Sequence, residues 1–484
     1  MMRLHNFLLG IIVILSLVIG ASTLTRGHDW GDDFAWYIVQ TKSLLNGTTA
    51  EMMQHSEFTN TQSTTHVGPL AYPWGFPLFL VPIYAIKGIS PLGLKLPGLF
   101  FYVGFLICLY FLTRVRLTKT ESLIIVSLFA FNPMLIQFEN QILSDIPFLF
   151  FSTLTLLLMI QEKKHNLLQY ILIGISIFFT AFMRATGVLL LGSLLIIEFF
   201  RFLQNIRDWD TIKQIILKPL VICSVFALLW IINIILLPSG GESYLSQYAG
   251  LTLDTVREFT VLYFNVFSRF FGETDGWKYL YFVLLVFFLF GAWIRRKDET
   301  IFIVFTILWL IVHITYPYWQ GPRYIFPILP IFIYFTFLGI KAATAKLPDK
   351  YRTTGARLHH GFWILIIGIF LINSGITAID NIQNERTVNG PFDSYSLEVY
   401  EFVNEETPGN SKVVFFKPRV MFMMTGRDTI MSMECDRILI GDYLVLNRKV
   451  GENQQIPPEK IGSCNLPIQQ VLKNQRFIVY QIQK

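Results

Sequence analysis

Charged residues are scarce in this chain, since aspartate, glutamate, lysine and arginine together make up 15% of its 484 residues. Soluble domains carry about 25% charged residues, so this chain has too little charge for a soluble fold. Four cysteines are too few for a disulfide-stapled scaffold. The sequence contains no Cys/His cluster at metal-ligand spacing, no P-loop and no glycine-rich dinucleotide turn. The sequence therefore gives no evidence for a zinc-finger protein, a P-loop hydrolase or a nucleotide-linked redox enzyme.

Long apolar runs dominate the sequence instead. Hydrophobic residues make up 53% of the chain, with 45 phenylalanines, and the mean hydropathy is +0.51. A run of about 20 apolar residues is long enough to cross a bilayer as a helix. The sequence therefore predicts a polytopic α-helical membrane protein with about eleven transmembrane helices. Their runs lie near residues 5–24, 94–113, 121–138, 145–160, 167–183, 186–204, 215–237, 278–294, 300–318, 324–342 and 361–379.

The first run allows two interpretations. A basic tip followed by an apolar stretch is typical of a cleaved signal peptide. A retained span is favoured, because the run is about 20 residues long and Ile19 stands where a cleavage site needs a small residue.

Basic residues set the predicted orientation. Clusters such as Arg114 to Lys119 and Lys341 to Arg357 alternate with loops poor in lysine and arginine. The positive-inside rule then places the N-terminus in the cytosol and, after eleven spans, the C-terminus outside it. The scattered basic residues account for the net charge of +6 without a nucleic-acid partner. The expected location is the bacterial inner membrane.

Two domains are predicted. Residues 1–379 form the transmembrane domain, whose first outer loop, 25–93, holds a short proline-rich apolar segment, Tyr72 to Ile86, expected to be re-entrant or interfacial. Residues 380–484 form a small extracytoplasmic α/β domain. A helix is expected over Tyr395 to Glu405, and strands are expected over Lys412 to Lys417 and Arg476 to Gln483. Whether Cys435 and Cys464 of this domain form a disulfide is left open.

Asp32 and Asp33 stand side by side about eight residues after the first span. One interpretation is a general base assisted by a second acid that positions it or a metal. The other is a pair of solvated loop acids that cap a helix starting at Phe34. Tyr37 follows in the same segment and Tyr72 in the next, and both are predicted to shape an acceptor site.

Two further ionisable residues lie at span ends. Asp145 opens the fourth span in Leu-Ser-Asp-Ile-Pro-Phe, where it either caps the helix or belongs to a site on the face that holds Asp32. Arg184 lies between two spans with almost no loop. An arginine at this depth either snorkels to the interface or binds a phosphate, whose oxygens match its guanidinium fork.

Arg323 and Tyr324 lie at the head of a later span, in Gln-Gly-Pro-Arg-Tyr-Ile-Phe-Pro. Aromatic residues alone would form an interfacial belt. The arginine between prolines indicates an anion at the outer surface instead. Arg184, Arg323 and Tyr324 are therefore candidates for binding an anionic group such as a phosphate.

Taken in order, these motifs resemble the GT-C glycosyltransferases of the protein O-mannosyltransferase type, a group that also contains the lipid A aminoarabinose transferases. The resemblance covers residues 5–345 and rests on the acidic pair, Tyr-Pro-Trp-Gly-Phe-Pro, Asn132-Pro133, Ser144-Asp145, Arg184 and Pro322-Arg323-Tyr324. The aminoarabinose branch carries an acid–lysine pair just before the loop proline. In this chain Val67 and Gly68 precede Pro69.

The resemblance implies an enzyme that takes a sugar from a polyprenyl-phosphate or polyprenyl-diphosphate carrier on the outer leaflet. It makes Asp32 the base, with Asp33 in place of a usual glutamate, and puts Arg184 and Arg323 at the donor phosphate. A divalent metal held by Asp32, Asp33 and Asp145 stays an open alternative.

The predicted function is inverting transfer of a lipid-linked sugar to an acceptor hydroxyl or phosphate. The acceptor is a glycan, lipid or protein, and membrane lipids are the other expected partners. Two alternatives are a transporter or flippase of lipid-linked glycans and a non-catalytic cell-envelope assembly protein. A transporter is expected to line a path across the membrane with charges, whereas this chain gathers its unusual polar residues on one side.

Overall fold

The computed structural model describes residues 2–161, 166–238, 251–450 and 454–483. Helices dominate these ranges, and a small sheet follows the last long helix. The helices are α1 (Met2–Thr23), α2 (Asp32–Asn46), α3 (Thr49–Gln62), α4 (Gly75–Lys87), α5 (Pro91–Thr113), α6 (Lys119–Ala130), α7 (Pro133–Glu139), α8 (Asp145–Ile160), α9 (Leu167–Met183), α10 (Val188–Gln204), α11 (Trp209–Leu236), α12 (Leu253–Val266), α13 (Gly276–Arg295), α14 (Thr300–Thr315), α15 (Leu329–Ala345), α16 (Asp349–Asn384), α17 (Ser394–Glu405), α18 (Pro418–Thr425) and α19 (Cys435–Ile438). Short 3-10 helices cover Ala185–Gly187, Phe267–Phe270, Gly321–Ile328 and Pro458–Cys464.

Within the described ranges, seven helical segments are long and apolar enough to cross a membrane, and the pair α6–α7 makes an eighth if it counts as one bent span. The helices α8, α9 and α14 are apolar but shorter. Together these segments coincide with the eleven predicted runs, which confirms a polytopic α-helical membrane fold. The number of actual crossings stays a prediction.

The run predicted over 121–138 is one bent pair rather than a single helix. The axes of α6 and α7 differ by 57°. Pro133 lacks an N–H group, and the Asn132 side chain accepts a hydrogen bond from the Leu135 N–H at 3.2 Å, which starts a new helix. Asn132 also donates to the Phe270 carbonyl at 2.8 Å and thereby ties the bend to the 3-10 helix Phe267–Phe270.

The first outer loop folds into α2, α3 and α4. The helix α4 has 13 residues and so spans about 20 Å, less than the roughly 30 Å of a bilayer core. That length agrees with the re-entrant or interfacial segment expected over Tyr72 to Ile86. The loop is closed by the Gln40 side chain, which donates to the Tyr72 carbonyl at 2.9 Å and accepts from its N–H at 3.0 Å.

The helices α13 and α15 pack with their backbones in contact. Gly291 meets the Phe335 carbonyl, Gly339 meets the Phe287 carbonyl, and a Cβ atom at either glycine would overlap these atoms. Small residues permit this close approach between membrane helices. The contact fixes α15, the helix that follows Arg323 and Tyr324.

The C-terminal part is a five-stranded mixed sheet with helices. Its strands are β1 (Val413–Phe415), β2 (Thr429–Ile430), β3 (Tyr443–Asn447), β4 (Ile468–Lys473) and β5 (Phe477–Ile482), in the order β2-β1-β3-β5-β4. The strand β1 is parallel to β2 and β3, whereas β5 is antiparallel to β3 and β4. The expected helix and both expected strands are present as α17, β1 and β5, and three strands were missed. The helix α16 continues to Asn384, past the predicted boundary at 379.

Cys435 and Cys464 form a disulfide, which answers the question left open by the sequence. Disulfides persist in oxidising compartments. The expected extracytoplasmic position of this domain stays a prediction.

The C-terminal domain packs against the first outer loop. The Thr64 N–H donates to the Met431 carbonyl at 2.9 Å, and the Thr59 hydroxyl donates to the Thr429 carbonyl at 2.9 Å. Arg437 donates to the Ser63 carbonyl at 3.0 Å. These contacts place the sheet directly beside α2 and α3.

Candidate active site

Asp32 and Asp33 form the first turn of α2, behind an extended Gly31. The first N–H groups of a helix have no partner within it, so its N-terminus favours negative charge. Both acids therefore stand where a helix stabilises carboxylates. Their surroundings differ, however, and that difference separates their roles.

Asp33 contacts an arginine and a tyrosine. Arg323 donates to Asp33 Oδ2 at 3.0 Å, and the Tyr72 hydroxyl donates to Oδ1 at 2.6 Å. Burial favours the neutral carboxyl, but the positive charge of Arg323 and the two hydrogen bonds outweigh it and lower the pKa of Asp33. Asp33 is thus held ionised and is a weak base.

Asp32 faces the C-terminal domain. Lys417 Nζ lies 3.4 Å from its Oδ2, and the backbone N–H of Arg419, at the start of α18, donates to its Oδ1 at 3.2 Å. Burial raises the pKa of Asp32 above the ordinary value, although the charges of Lys417 and Arg419 oppose that rise. A carboxylate with a raised pKa is the better proton acceptor of the two.

Arg184 forms an ion pair with Asp145, and both side chains are largely buried. The arginine stands at the break after α9, in an extended backbone conformation that directs the chain into the turn Ala185–Gly187. Asp145 lies in the first turn of α8. The two span-end residues singled out in the sequence are therefore direct partners.

The Tyr324 ring contacts the guanidinium groups of both predicted phosphate-binding arginines. Its ring centre is 4.9 Å from the Arg184 guanidinium carbon and 5.6 Å from that of Arg323. The Trp309 indole donates to the Tyr324 carbonyl at 2.5 Å, and the His313 ring packs edge-on against the tyrosine ring at 4.7 Å. Cation–π contacts of this kind hold guanidinium groups in place.

Tyr37 and Tyr72 connect the acidic pair to Asp145. Their rings lie 5.0 Å apart, and the Tyr37 hydroxyl is 2.9 Å from the Ser144 hydroxyl, next to Asp145. All eight sequence-predicted site residues are thereby brought into one charged cluster, which we call the outer cluster. It comprises Asp32, Asp33, Tyr37, Tyr72, Asp145, Arg184, Arg323 and Tyr324, together with Lys417 and Arg419.

Lys417 and Arg419 were not predicted from the sequence. Arg419 is 2% exposed, and its guanidinium donates to the Tyr72 hydroxyl at 3.1 Å and to the Pro69 carbonyl at 2.5 Å. A Cβ atom at Gly68 would lie 2.9 Å from this guanidinium, and Gly68 has a φ of +145°. Only glycine suits that backbone and leaves room for Arg419. The Val-Gly-Pro sequence indicated a close approach to the backbone at Gly68, but it did not indicate that Arg419 would make that approach.

Lys95 was missed as well. It is buried in α5, and its ammonium group donates to the Thr25 carbonyl at 2.8 Å, the Gly27 carbonyl at 2.7 Å and Asn140 Oδ1 at 2.7 Å. These bonds anchor the segment between α1 and α2. Lys95 therefore ties α5 to the segment that leads into Asp32.

The three aspartates do not fit a metal site as they are arranged. Asp32 contacts Lys417, Asp33 contacts Arg323 and Asp145 contacts Arg184, so each carboxylate already faces a cation. In the described ranges, no group of three or more His, Cys, Asp and Glu side chains is placed to hold a metal. We derive no chemical step through a metal.

Chemically, the outer cluster combines an excess of positive charge, which suits an anion, with a carboxylate whose pKa is raised. Four cationic side chains surround three carboxylates, which leaves a positive excess. Arginine forks suit phosphate oxygens, and Asp32 is positioned to accept a proton. An anionic group near Arg184 and Arg323 would thus lie close to that base.

Solved structures of other proteins resemble the fold of the whole chain. ArnT from Cupriavidus metallidurans, with undecaprenyl phosphate bound, matches at a TM-score of 0.61 and 12% identity, over 97% of each chain. An oligosaccharyltransferase from Archaeoglobus fulgidus matches at 0.57 and 12% identity, over 92% of this chain and 70% of the other. The same archaeon's AglB, in complex with an inhibitory peptide and a dolichol-phosphate, matches at 0.57 and 13% identity, over 92% and 69%.

The chain has the GT-C fold. Both ArnT and the archaeal oligosaccharyltransferase have this fold, as the sequence resemblance led us to expect. No family model and no curated protein matches the sequence. At 12–13% identity the likeness of the GT-C neighbours concerns the fold, so the chemistry must be argued from the outer cluster itself.

Proposed function

We propose that this protein is an integral-membrane glycosyltransferase that moves a sugar from a polyprenyl-phosphate carrier to an acceptor hydroxyl or phosphate on the outer face of the membrane. The proposal rests on one observation. Four segments that are distant along the membrane domain meet in the outer cluster: the first outer loop, the start of α8, the end of α9 and the segment before α15. ArnT binds undecaprenyl phosphate and AglB binds dolichol-phosphate, according to their solved structures. The positive excess beside Asp32 suits a ligand of the same kind.

The donor phosphate is assigned to Arg184, Arg323 and Tyr324. A polyprenyl phosphate is a good leaving group, and cationic donors aimed at its oxygens stabilise the negative charge that develops as the glycosidic bond breaks. The two guanidiniums share the Tyr324 ring and so form one surface. When the phosphate binds, it competes with Asp145 and Asp33 for these arginines.

Asp32 is assigned as the base. It takes the proton of the acceptor hydroxyl, whose oxygen attacks the anomeric carbon from the face opposite the leaving phosphate. The configuration is therefore inverted. Asp33, held ionised by Arg323 and Tyr72, orients the site and does not accept the proton. Asp145, Tyr37 and Tyr72 shape the space around the acceptor.

The test is transfer by purified protein supplied with radiolabelled polyprenyl-phosphate sugars, followed as released lipid phosphate. Asp32→Asn is expected to lower transfer about 10²–10⁴-fold, the usual contribution of general base catalysis. The matched control is Asp275→Asn, because Asp275 is an outer-loop acid with a side chain 89% exposed.

Transfer by Asp32→Asn at the level of Asp275→Asn would remove the base assignment. A non-catalytic assembly protein would tolerate the loss of both Asp32 and Asp33. A flippase would move labelled lipid across a vesicle membrane without releasing lipid phosphate.

A further inference from the structure

Arg323 lines a cavity besides contacting Asp33. The cavity has a volume of about 740 Å³, within the roughly 300–1,000 Å³ of small-ligand sites. Its walls come from the end of α1, from α7, from the segment after Phe267–Phe270, from α16 and from the chain that follows α16. We call it the α7 cleft. None of the assignments made above uses it, apart from Arg323.

The α7 cleft presents polar side chains that lack partners. Arg269, Arg386, Gln137 and Asn373 line it, and their side chains make no hydrogen bond or ion pair with another described residue. In contrast, the amide of Gln141, in the same wall, donates to Asp29 at 2.9 Å. Two guanidiniums and two amides are therefore available to a ligand.

The same walls contain aromatic rings and acids. Phe138 is partly exposed in the cleft beside the polar groups, and Glu273 adds an exposed carboxylate, whereas Phe270 and Phe271 behind them are buried. Amides and carboxylates can bind neighbouring sugar hydroxyls as donors and acceptors, while an aromatic ring covers the C–H face of a sugar. The lining mixes polar and apolar side chains, whereas a polyprenyl tail needs a continuous apolar wall.

We infer that the α7 cleft binds the acceptor as an anionic saccharide, that is, a sugar bearing a phosphate or a carboxylate. The inference rests on the proposed function, because only a transferase needs an acceptor there. Arg269 and Arg386 recognise the anionic group, since unpaired guanidiniums suit phosphate and carboxylate oxygens. Gln137 and Asn373 bind the sugar hydroxyls.

The position of the cleft explains how the acceptor meets the base. Arg323 belongs both to the cleft wall and to the ion pair with Asp33, and Asp33 adjoins Asp32 along α2. A saccharide seated in the cleft therefore has one end at the outer cluster. A hydroxyl at that end is delivered to Asp32 while the anionic group stays with Arg269 and Arg386.

Saturation-transfer NMR on the full chain in detergent tests the inference with three probes: glucose 1-phosphate, glucuronic acid and glucose. We expect at least one anionic probe to bind about tenfold more tightly than glucose, as charge-assisted hydrogen bonds are about twice as strong as neutral ones. The double variant Arg269→Ala/Arg386→Ala is expected to lose this preference. Gln137→Ala/Asn373→Ala should weaken all three probes to a similar extent. Arg26→Ala is the matched control, because Arg26 is 84% exposed nearby and does not line the cleft.

Each outcome decides the inference. A preference for glucose 1-phosphate alone, or for glucuronic acid alone, supports it and identifies the group. Equal binding of glucose, or a preference that survives in the double arginine variant, overturns it. Lipid-phosphate release by the wild type is measured separately. If probe binding is as expected but no lipid phosphate is released, the proposed function fails and the saccharide site stands, and the reverse result removes the site alone.

Discussion

Ion pairs occur at both ends of the helical bundle. At the end opposite α2, Glu121 contacts Lys341 at 2.9 Å and Glu299 contacts Arg116 at 3.0 Å. Each of these acids is largely buried and meets a cation from a segment distant in sequence. The charges neutralise each other within the pair, so these contacts join segments of the bundle.

The outer cluster is built differently. Its carboxylates are outnumbered by cations, and one guanidinium, that of Arg419, bonds only to a hydroxyl and a carbonyl. Pairs that neutralise each other have no charge left for a ligand, whereas a cluster with a positive excess does. In this fold, a buried ion pair is therefore a candidate site only where the charges around it fail to balance.

Breaking a balanced pair should have the largest effect on stability. Arg116→Ala leaves the Glu299 carboxylate, which is 0% exposed, without its cation, and we expect a loss of about 3–5 kcal/mol of unfolding free energy. The control Arg352→Ala breaks an exposed pair with Asp349 and should cost less than about 1 kcal/mol. Thermal unfolding in detergent measures both. Equal shifts for the two variants would contradict the comparison.

Breaking an outer pair should act on turnover rather than on stability. Arg323→Ala removes one donor to the leaving phosphate, and we expect transfer to fall about 10²–10³-fold. The melting temperature should change little, because Asp33 is 34% exposed and keeps its bond from Tyr72. Released lipid phosphate and thermal unfolding are measured on the same sample. Arg295→Ala, at the opposite end, is the control, and similar losses of turnover in both variants would refute the assignment.

The contribution of the C-terminal domain should be smaller. Lysine at position 419 keeps the charge but cannot hold Pro69 and Tyr72 with a rigid fork, so Arg419→Lys should lower turnover about tenfold, the equivalent of about 1.4 kcal/mol. Arg448→Lys, an exposed position in the same domain, should keep full turnover. If Arg419→Lys matches Arg448→Lys, the C-terminal domain takes no part in the reaction.

The smallest effect concerns pH. Asp32 must be ionised to accept a proton, so activity is lost as the pH falls through its pKa. Burial raises that pKa and the charge of Lys417 opposes the rise, hence Lys417→Met should move the acidic limb of kcat/KM to higher pH. Lys412→Met is the control. A limb that stays in place or moves to lower pH would show that another group controls it.

The membrane part of the fold could be predicted from sequence because apolar length alone identifies a span. Arg184 was found through the same signal, since a charge between two apolar runs interrupts the pattern. The sequence could not give the bend between α6 and α7, where Asn132 and Pro133 end one helix and start another within a continuous apolar run.

The C-terminal contribution to the site was beyond sequence reasoning. Lys417 and Arg419 flank Pro418 where α18 begins after β1, in an otherwise apolar stretch, and 387 residues separate Arg419 from Asp32. Such contacts depend on how two domains dock, which no local pattern encodes. The strands β1 and β3 are both fully buried and lack the alternation of a half-exposed strand, and an apolar run without alternation does not by itself distinguish a strand from a buried helix segment, so β1 was predicted and β3 was missed.

The separation between Asp32 and α18 has a consequence for synthesis. Chain growth delivers the aspartates and membrane arginines early, and it delivers Lys417 and Arg419 only near the end. A nascent chain therefore sits in the bilayer with an incomplete outer cluster until the C-terminal domain has folded and docked. On the proposed function, this order keeps half-made copies from consuming lipid-linked sugars.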